Sequence, residues 1–252
     1  MDYRKIGGER IVGSALILIA VYQVKRYYSG ADSEALAWII GPTARLVELI
    51  SGITFTPLAG VGWVSYSHEA LIAPSCAGVN FLIILFCMSS FQIVFSDLPC
   101  KAWLPAIIIG TLAACGVTIV VNGLRIWLSV LLYQADICSG WFSAEMVHRL
   151  AGVFIYYLFV CCYYLMIAFV LRYVSESHVS ERMGNRRFRD LIFCLIPLFW
   201  YLLFVLGIPF LNRGYQHDPD SFMIHGMVVL VVSILTTMML VPLFFRDKWQ
   251  KM

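Results

Sequence analysis

The stretch Pro74-Ser75-Cys76-Ala77-Gly78-Val79-Asn80 stands directly before an apolar run that extends from residue 81 to residue 95. That run is long enough to enter a bilayer as a helix. Cys76 therefore lies at a membrane surface and close to a helix N-terminus, where unpaired N–H groups and the positive end of the dipole favour an anion such as a thiolate. Taken alone, Cys76 is also compatible with a small packing residue.

The composition predicts an all-α polytopic membrane protein. Of 252 residues, 61% are hydrophobic and only 13% are charged, which is more apolar surface than a soluble domain of that size can bury. The net charge is +3, and no basic patch is interleaved with aromatic residues, so we expect no nucleic-acid partner. No CxxC or HExxH motif occurs, so we expect neither a metal nor another cofactor.

Six apolar segments approach the ~20 residues that a transmembrane helix needs, and they predict one integral-membrane domain over residues 1–252. The predicted spans are residues 11–28, 78–96, 102–123, 146–171, 190–211 and 224–245. The first span is interpreted as an uncleaved helix rather than a secretory signal, because Lys25 and Arg26 stand where a cleavage region is small and neutral. The third span is expected to continue as a helix to Tyr133.

The 47 residues between the first span and Cys76 contain no full span. Residues 36–50 are apolar with Arg45 and Glu48 three positions apart, which predicts a helix that lies at the interface or re-enters the membrane. Apolar and polar residues alternate at 53–56 and 63–67, which predicts a short extracytoplasmic β-hairpin that leads to Cys76.

The distribution of positive charge predicts the orientation. With six spans, the loops on one side carry twelve Lys and Arg residues and those on the other side carry five. Because positive charge is retained on the cytoplasmic side, both termini are predicted to be cytoplasmic. Cys76, Arg125 and His148 then meet at the extracytoplasmic leaflet.

Arg125 is the most informative charge in the chain. A charged side chain within an apolar helix costs at least ~2.5 kcal/mol at the bilayer centre unless it is paired or faces water, which makes Arg125 a functional candidate. Asn122 lies three residues earlier on the same helix face and can hold the guanidinium by hydrogen bonding. The alternative is an arginine that extends to the lipid headgroups, as is common near helix ends.

His148 opens the fourth predicted span, with Glu145 one turn before it and Gly152 one turn after it. A carboxylate can orient an imidazole, and a glycine allows another helix to approach. By itself His148 is also compatible with an interfacial histidine that has no partner. Together with Cys76 as nucleophile and Arg125 as an oxyanion contact, His148 as general base and acid makes an acyl-transfer site.

The motifs Cys76-Ala77-Gly78, Asn122-x-x-Arg125 and His148-x-x-x-Gly152 resemble those of the exosortase/archaeosortase family. The run around Cys76 is most similar to the exosortase K branch, and the likeness covers residues 60–170. The resemblance implies Cys76 as nucleophile, with Arg125 and His148 as the other catalytic residues. Ala77 departs from the family pattern, since many members have serine there, and longer members have additional helices.

The resemblance further implies a membrane-embedded cysteine transpeptidase or protease of the bacterial inner membrane. Its substrate would be an exported, membrane-anchored protein with a C-terminal sorting signal of the PEP-CTERM type, and the acyl-enzyme would pass to an unknown acceptor. The alternative from another class is a transporter or membrane assembly factor that uses Arg125 as an anion contact.

Three further hypotheses concern the surroundings of Cys76. A disulfide with Cys138 is an alternative to a free nucleophile. Glu69 is expected either to orient His148 or receive a substrate amine, or to be an ordinary solvated carboxylate. Residues 36–67 are predicted to roof the site, so that a peptide enters sideways and pairs with the hairpin edge as an added strand.

Overall fold

The computed structural model describes residues 3–68, 70–134, 144–175, 195–216 and 218–249. It confirms an all-α polytopic membrane protein with a small sheet. The helices in these ranges are α1 (Tyr3–Tyr28), α2 (Ala37–Ser51), α3 (Val79–Phe95), α4 (Cys100–Gln134), α5 (Ala144–Ser175), α6 (Leu195–Leu211) and α7 (Pro219–Trp249).

Among the described residues, five of these helices are long and apolar enough to cross a membrane: α1, α3 with the turn before it, α4, α5 and α7. The predicted continuation of the third span is confirmed, because α4 runs for 35 residues without a break. The predicted span at 190–211 corresponds to α6, which has 17 described residues and is shorter than the ~20 that a span needs.

The chain forms two compact units. The first contains residues 1–137 and 164–177, and the second contains residues 138–163 and 178–252. The helices α1 to α4 and the sheet belong to the first unit, and α6 and α7 belong to the second. The helix α5 is divided between the units: its residues 144–163 belong to the second unit and its residues 164–175 belong to the first.

The helix α3 forms the centre of the first unit. Most of its side chains are buried, because it is apolar on all sides and packs against both α1 and α4. The helix α1 runs antiparallel to α3. Arg10 near its start donates a hydrogen bond to the Ser96 carbonyl at 3.2 Å, and Lys25 near its end donates to Asn80 Oδ1 at 2.5 Å. Most large apolar side chains on the rest of α1 are exposed, as expected for a face in contact with lipid.

The helix α2 confirms the predicted helix at 36–50, and it packs on α4. Its buried face includes Ile39, Ile40 and Val47. The two helices approach closely at Gly123, where an added Cβ would lie 2.9 Å from Leu46 Cδ2. The glycine therefore sets the separation of α2 from α4.

The predicted hairpin is an antiparallel sheet of three short strands, in the order β1 (Thr56–Leu58), β2 (Gly62–Ser65) and β3 (Ala70–Ile72). Residues 53–55 were predicted to pair with β2, and this was wrong. The Phe55 N–H donates to Glu48 Oε1 at 2.6 Å, which ties that segment to α2 instead. The sequence also did not predict β3.

The second unit has a buried polar contact between helices. Tyr157 on α5 and Thr237 on α7 share a hydrogen bond of 2.5 Å between their hydroxyl groups. The ring of Tyr157 also packs on Tyr201 of α6, with centroids 5.1 Å apart. Asp218 caps the N-terminus of α7 by accepting the Ser221 N–H at 3.0 Å.

Candidate active site

Cys76 ends a short 3₁₀ turn, Pro74–Cys76, that joins β3 to α3. The Cys76 N–H donates to the Ala73 carbonyl at 2.8 Å, which closes the turn. The first residue of α3 is Val79, so Cys76 precedes the helix by three positions. Its side chain is partly exposed, and it forms no disulfide with any other described cysteine. The predicted position at the mouth of an apolar helix is thus confirmed, with the cysteine in a turn of its own.

Asn122 attaches this turn to α4. Its side chain is fully buried, and Asn122 Nδ2 donates to the Cys76 carbonyl oxygen at 2.6 Å. A buried amide without a hydrogen bond costs several kcal/mol in apolar surroundings, so the contact satisfies the side chain and the turn together. The sequence predicts that Asn122 orients Arg125, which stays a prediction, and the structure shows that Asn122 holds the Cys76 backbone.

Gly78 allows the close approach on which that hydrogen bond depends. It is the N-cap of α3 with φ of +75°, a conformation that other residues rarely adopt. A Cβ at this position would lie 3.3 Å from both Asn122 Cγ and Thr118 Cγ2. A glycine is therefore required both by the backbone conformation and by the contact with α4.

Arg125 follows Asn122 by three residues on α4. In an α-helix that places it about 4.5 Å further along the axis and about 60° around it. The side chain is partly buried. Because Asn122 binds the Cys76 carbonyl, Arg125 lies on α4 within one helical turn of the point where the Cys76 turn is attached. A guanidinium there can donate two parallel hydrogen bonds to an oxyanion or carboxylate.

Lys25 is a polar neighbour of the turn. On sequence alone, Lys25 helps to orient the chain and argues against a cleaved signal, and it was given no part in the site. Its hydrogen bond to Asn80 attaches the end of α1 to the second residue of α3, four residues after Cys76. The signal in the sequence was a lysine at the end of an apolar helix, together with an asparagine immediately after the glycine-containing loop. The turn is thus held through Asn80 by α1 and through Asn122 by α4.

His148 lies in the second turn of α5 and is exposed. It belongs to the second unit, whereas Cys76 and Arg125 belong to the first, and its convergence with them stays a prediction. Gly152, one turn after His148, is buried. Glu145 is in the first turn of α5, and only its backbone is described.

Two residues named in the sequence analysis lie outside the described ranges. They are Glu69 and Cys138, so the proposed roles of Glu69 and the disulfide between Cys76 and Cys138 stay predictions. Over the described residues, no group of three or more His, Cys, Asp or Glu side chains is arranged to hold a metal ion.

Comparison of the chain with family models, with curated protein sequences and with solved structures gave no match.

Proposed function

We propose that this protein is a membrane-embedded cysteine transpeptidase or protease that processes the C-terminal sorting signal of exported, membrane-anchored proteins. The observation that supports this best is the hydrogen bond from Asn122 to the Cys76 carbonyl. It joins a cysteine in a turn that is followed by a positive-φ glycine to the helix that carries Arg125. A fully buried amide that bonds to the backbone of this turn fixes the position of Cys76 more closely than packing alone would.

In the proposed reaction, the Cys76 thiolate attacks the carbonyl carbon of the scissile peptide bond. Arg125 stabilises the oxyanion that forms, because a planar pair of N–H groups can bind it at two points. His148, assigned from the sequence alone, takes the thiol proton and then gives it to the departing amine. The resulting thioester is broken by an acceptor amine or by water, and the thiol is regenerated.

The proposed site faces the extracytoplasmic side of a bacterial inner membrane, with both chain termini in the cytoplasm. The bias of Lys and Arg towards the opposite loops supports this orientation. The substrate tail would approach within the bilayer, and its acceptor is a nucleophile on the same side.

The test is replacement of Cys76 by alanine in the host that carries the natural substrates. We expect unprocessed precursor to accumulate in the membrane fraction and no acyl-enzyme adduct to form on the variant. Cys100→Ala is the matched control, because Cys100 is also a free cysteine of the first unit but begins α4 at the end away from Asn122. It should process normally.

Normal processing by Cys76→Ala would overturn the proposal. It would leave the transporter or assembly factor as the better account, since neither activity requires the thiol.

A further inference from the structure

The two outer edges of the sheet differ in their ability to bind another strand. In an antiparallel pair, residues alternate between positions that exchange both backbone hydrogen bonds with the partner and positions whose N–H and C=O point away. Pro57 of β1 is opposite Trp63 of β2 and has no N–H to exchange. Pro57 is therefore at an outward-pointing position, and the outer edge of β1 has no backbone donor at its centre.

The same alternation determines what β3 presents. Since Trp63 does not bond towards β1, its N–H and C=O point towards β3, where it is opposite Ile72. The Ile72 carbonyl oxygen does lie against Gly62 of β2. Leu71, between the two bonded positions of β3, must then direct both its N–H and its C=O away from β2. The β3 edge therefore offers both a backbone donor and a backbone acceptor at Leu71. The β1 edge offers only an acceptor, the carbonyl of Pro57.

The free edge of β3 is accessible and close to the cysteine. In the described part of the chain, β3 pairs with β2 alone, and the Leu71 side chain is 49% exposed. The face of the sheet on the other side from the Leu71 side chain is buried. There Ser65 and Ile72 are each 1% exposed, and the Trp63 ring packs on Gly41 of α2. Cys76 lies five positions after Leu71, a reach of at most about 18 Å.

We propose that the substrate polypeptide binds in extended form as a fourth strand on the free edge of β3, through the backbone N–H and C=O of Leu71. The inference rests on the proposed function, and it moves the expected docking strand from the predicted hairpin to β3. Main-chain pairing binds an extended peptide with little dependence on its sequence. The strand also sets the direction of the bound chain, so that a peptide bond a few residues beyond the pairing point reaches Cys76.

The experiment uses the full-length protein in nanodiscs and a probe peptide of eight alternating Thr and Val residues with a terminal bromoacetyl group. On reaction, the Cys76 thiol gives its proton to the buffer, its sulfur forms a bond to the methylene carbon that carries the bromine, and bromide leaves. Mass spectrometry gives the rate at Cys76, compared with free bromoacetamide. We expect the peptide to react about tenfold faster, as one or two main-chain hydrogen bonds allow. The same peptide with N-methylated amides should lose that acceleration.

Three variants locate the binding edge. Leu71→Pro removes the outward N–H but no bond within the sheet, and it should abolish the acceleration while the bromoacetamide rate is unchanged. Leu71→Ala keeps the N–H and should retain the acceleration. Pro57→Ala restores a donor to the β1 edge and should change nothing.

The proposed docking edge would be wrong if the wild type and Leu71→Pro showed equal acceleration. It would also be wrong if the unmethylated peptide showed no acceleration. Neither result would bear on the role of Cys76. Acceleration that depends on Leu71, in a protein whose Cys76→Ala variant still processes precursor, would instead retain the docking edge and remove the proposed catalysis. A lower bromoacetamide rate in Leu71→Pro would show a disturbed turn. The comparison then passes to a variant with the α-hydroxy acid analogue of leucine at position 71, in which an ester oxygen replaces the backbone N–H. Unchanged acceleration there would overturn the proposal.

Discussion

The Cys76 turn of the first unit and the Tyr157–Thr237 contact of the second unit both depend on buried polar side chains, but their acceptors differ. In the second unit, the hydroxyl groups of two side chains on regular helices bond to each other, and the Thr237 hydroxyl also donates to the Ser233 carbonyl of its own helix. In the first unit, the Asn122 amide bonds to a backbone carbonyl in a short 3₁₀ turn outside the α-helices. The first kind of bond fastens helices together, and the second determines the conformation of a loop. Only the second is expected to affect chemistry.

The largest effect in this comparison is expected at Arg125, on the helix that holds the turn. Arg125→Lys keeps the positive charge but replaces a planar pair of donors by a single ammonium group. The variant should insert and fold normally, while processing falls about a hundredfold, as for the loss of an oxyanion contact. The measurement is the rate of precursor conversion in membranes with matched amounts of each protein. Near-normal conversion would reduce Arg125 to a general counter-charge.

A smaller loss is expected for Asn122→Ala, which removes the hydrogen bond to the Cys76 carbonyl. The turn should then adopt several conformations, and processing should fall about tenfold, as for the loss of a hydrogen bond of ~1.4 kcal/mol. Thr118→Val is the matched control, because its hydroxyl bonds to Ala114 within α4 and does not hold the turn. If both variants lost activity equally, packing rather than the Asn122 bond would hold the loop.

In the second unit, Tyr157→Phe should change stability and leave processing intact. Losing one buried interhelical hydrogen bond costs about 1 kcal/mol. Thr237→Val should cost slightly more, because it also removes the bond from the Thr237 hydroxyl to the Ser233 carbonyl. The double variant should cost little more than Thr237→Val alone, because both single variants remove the interhelical bond. Thermal unfolding in detergent gives the stabilities. A processing defect with normal stability would show that this contact also serves the reaction.

The smallest effect concerns the cap of α7. The backbone N–H of Ser221 bonds to the Asp218 carboxylate and holds its pKa below the usual range for aspartate. A carboxylate with a lowered pKa in the folded state stabilises while ionised, and that contribution is lost as the pH falls through the lowered pKa. The wild type should therefore be slightly more stable than Asp218→Asn at neutral pH, and the gap should close below the usual aspartate range. Thermal unfolding of both proteins over that pH range measures the difference in stability. A difference that did not change with pH would contradict this assignment.

The positions of the helices could be predicted from the sequence because the bilayer imposes a length and an apolar composition on each span. Residues 78–96 and 102–123 were identified as helices on that basis, and α3 and α4 agree with them. The sheet could not be predicted as well. The strand β3 is three residues long, too short for alternation to be visible, and residues 53–55 are held by Glu48 of α2, a contact that no local pattern encodes.

The chemically capable residues of the candidate site could also be identified from the sequence. A charge within an apolar helix and a cysteine beside a glycine are unusual in any fold. Cys76, Asn122 and Arg125 were identified in this way. The sequence alone determined that this is a helical membrane protein and which side chains have the chemistry for a reaction. Only the tertiary structure decided that Asn122 binds the Cys76 carbonyl, that Lys25 reaches Asn80, and that Leu71 faces outward. The first two contacts join residues that are 46 and 55 positions apart in the chain, and the third depends on strand register. Neither kind of information leaves a local pattern in the sequence.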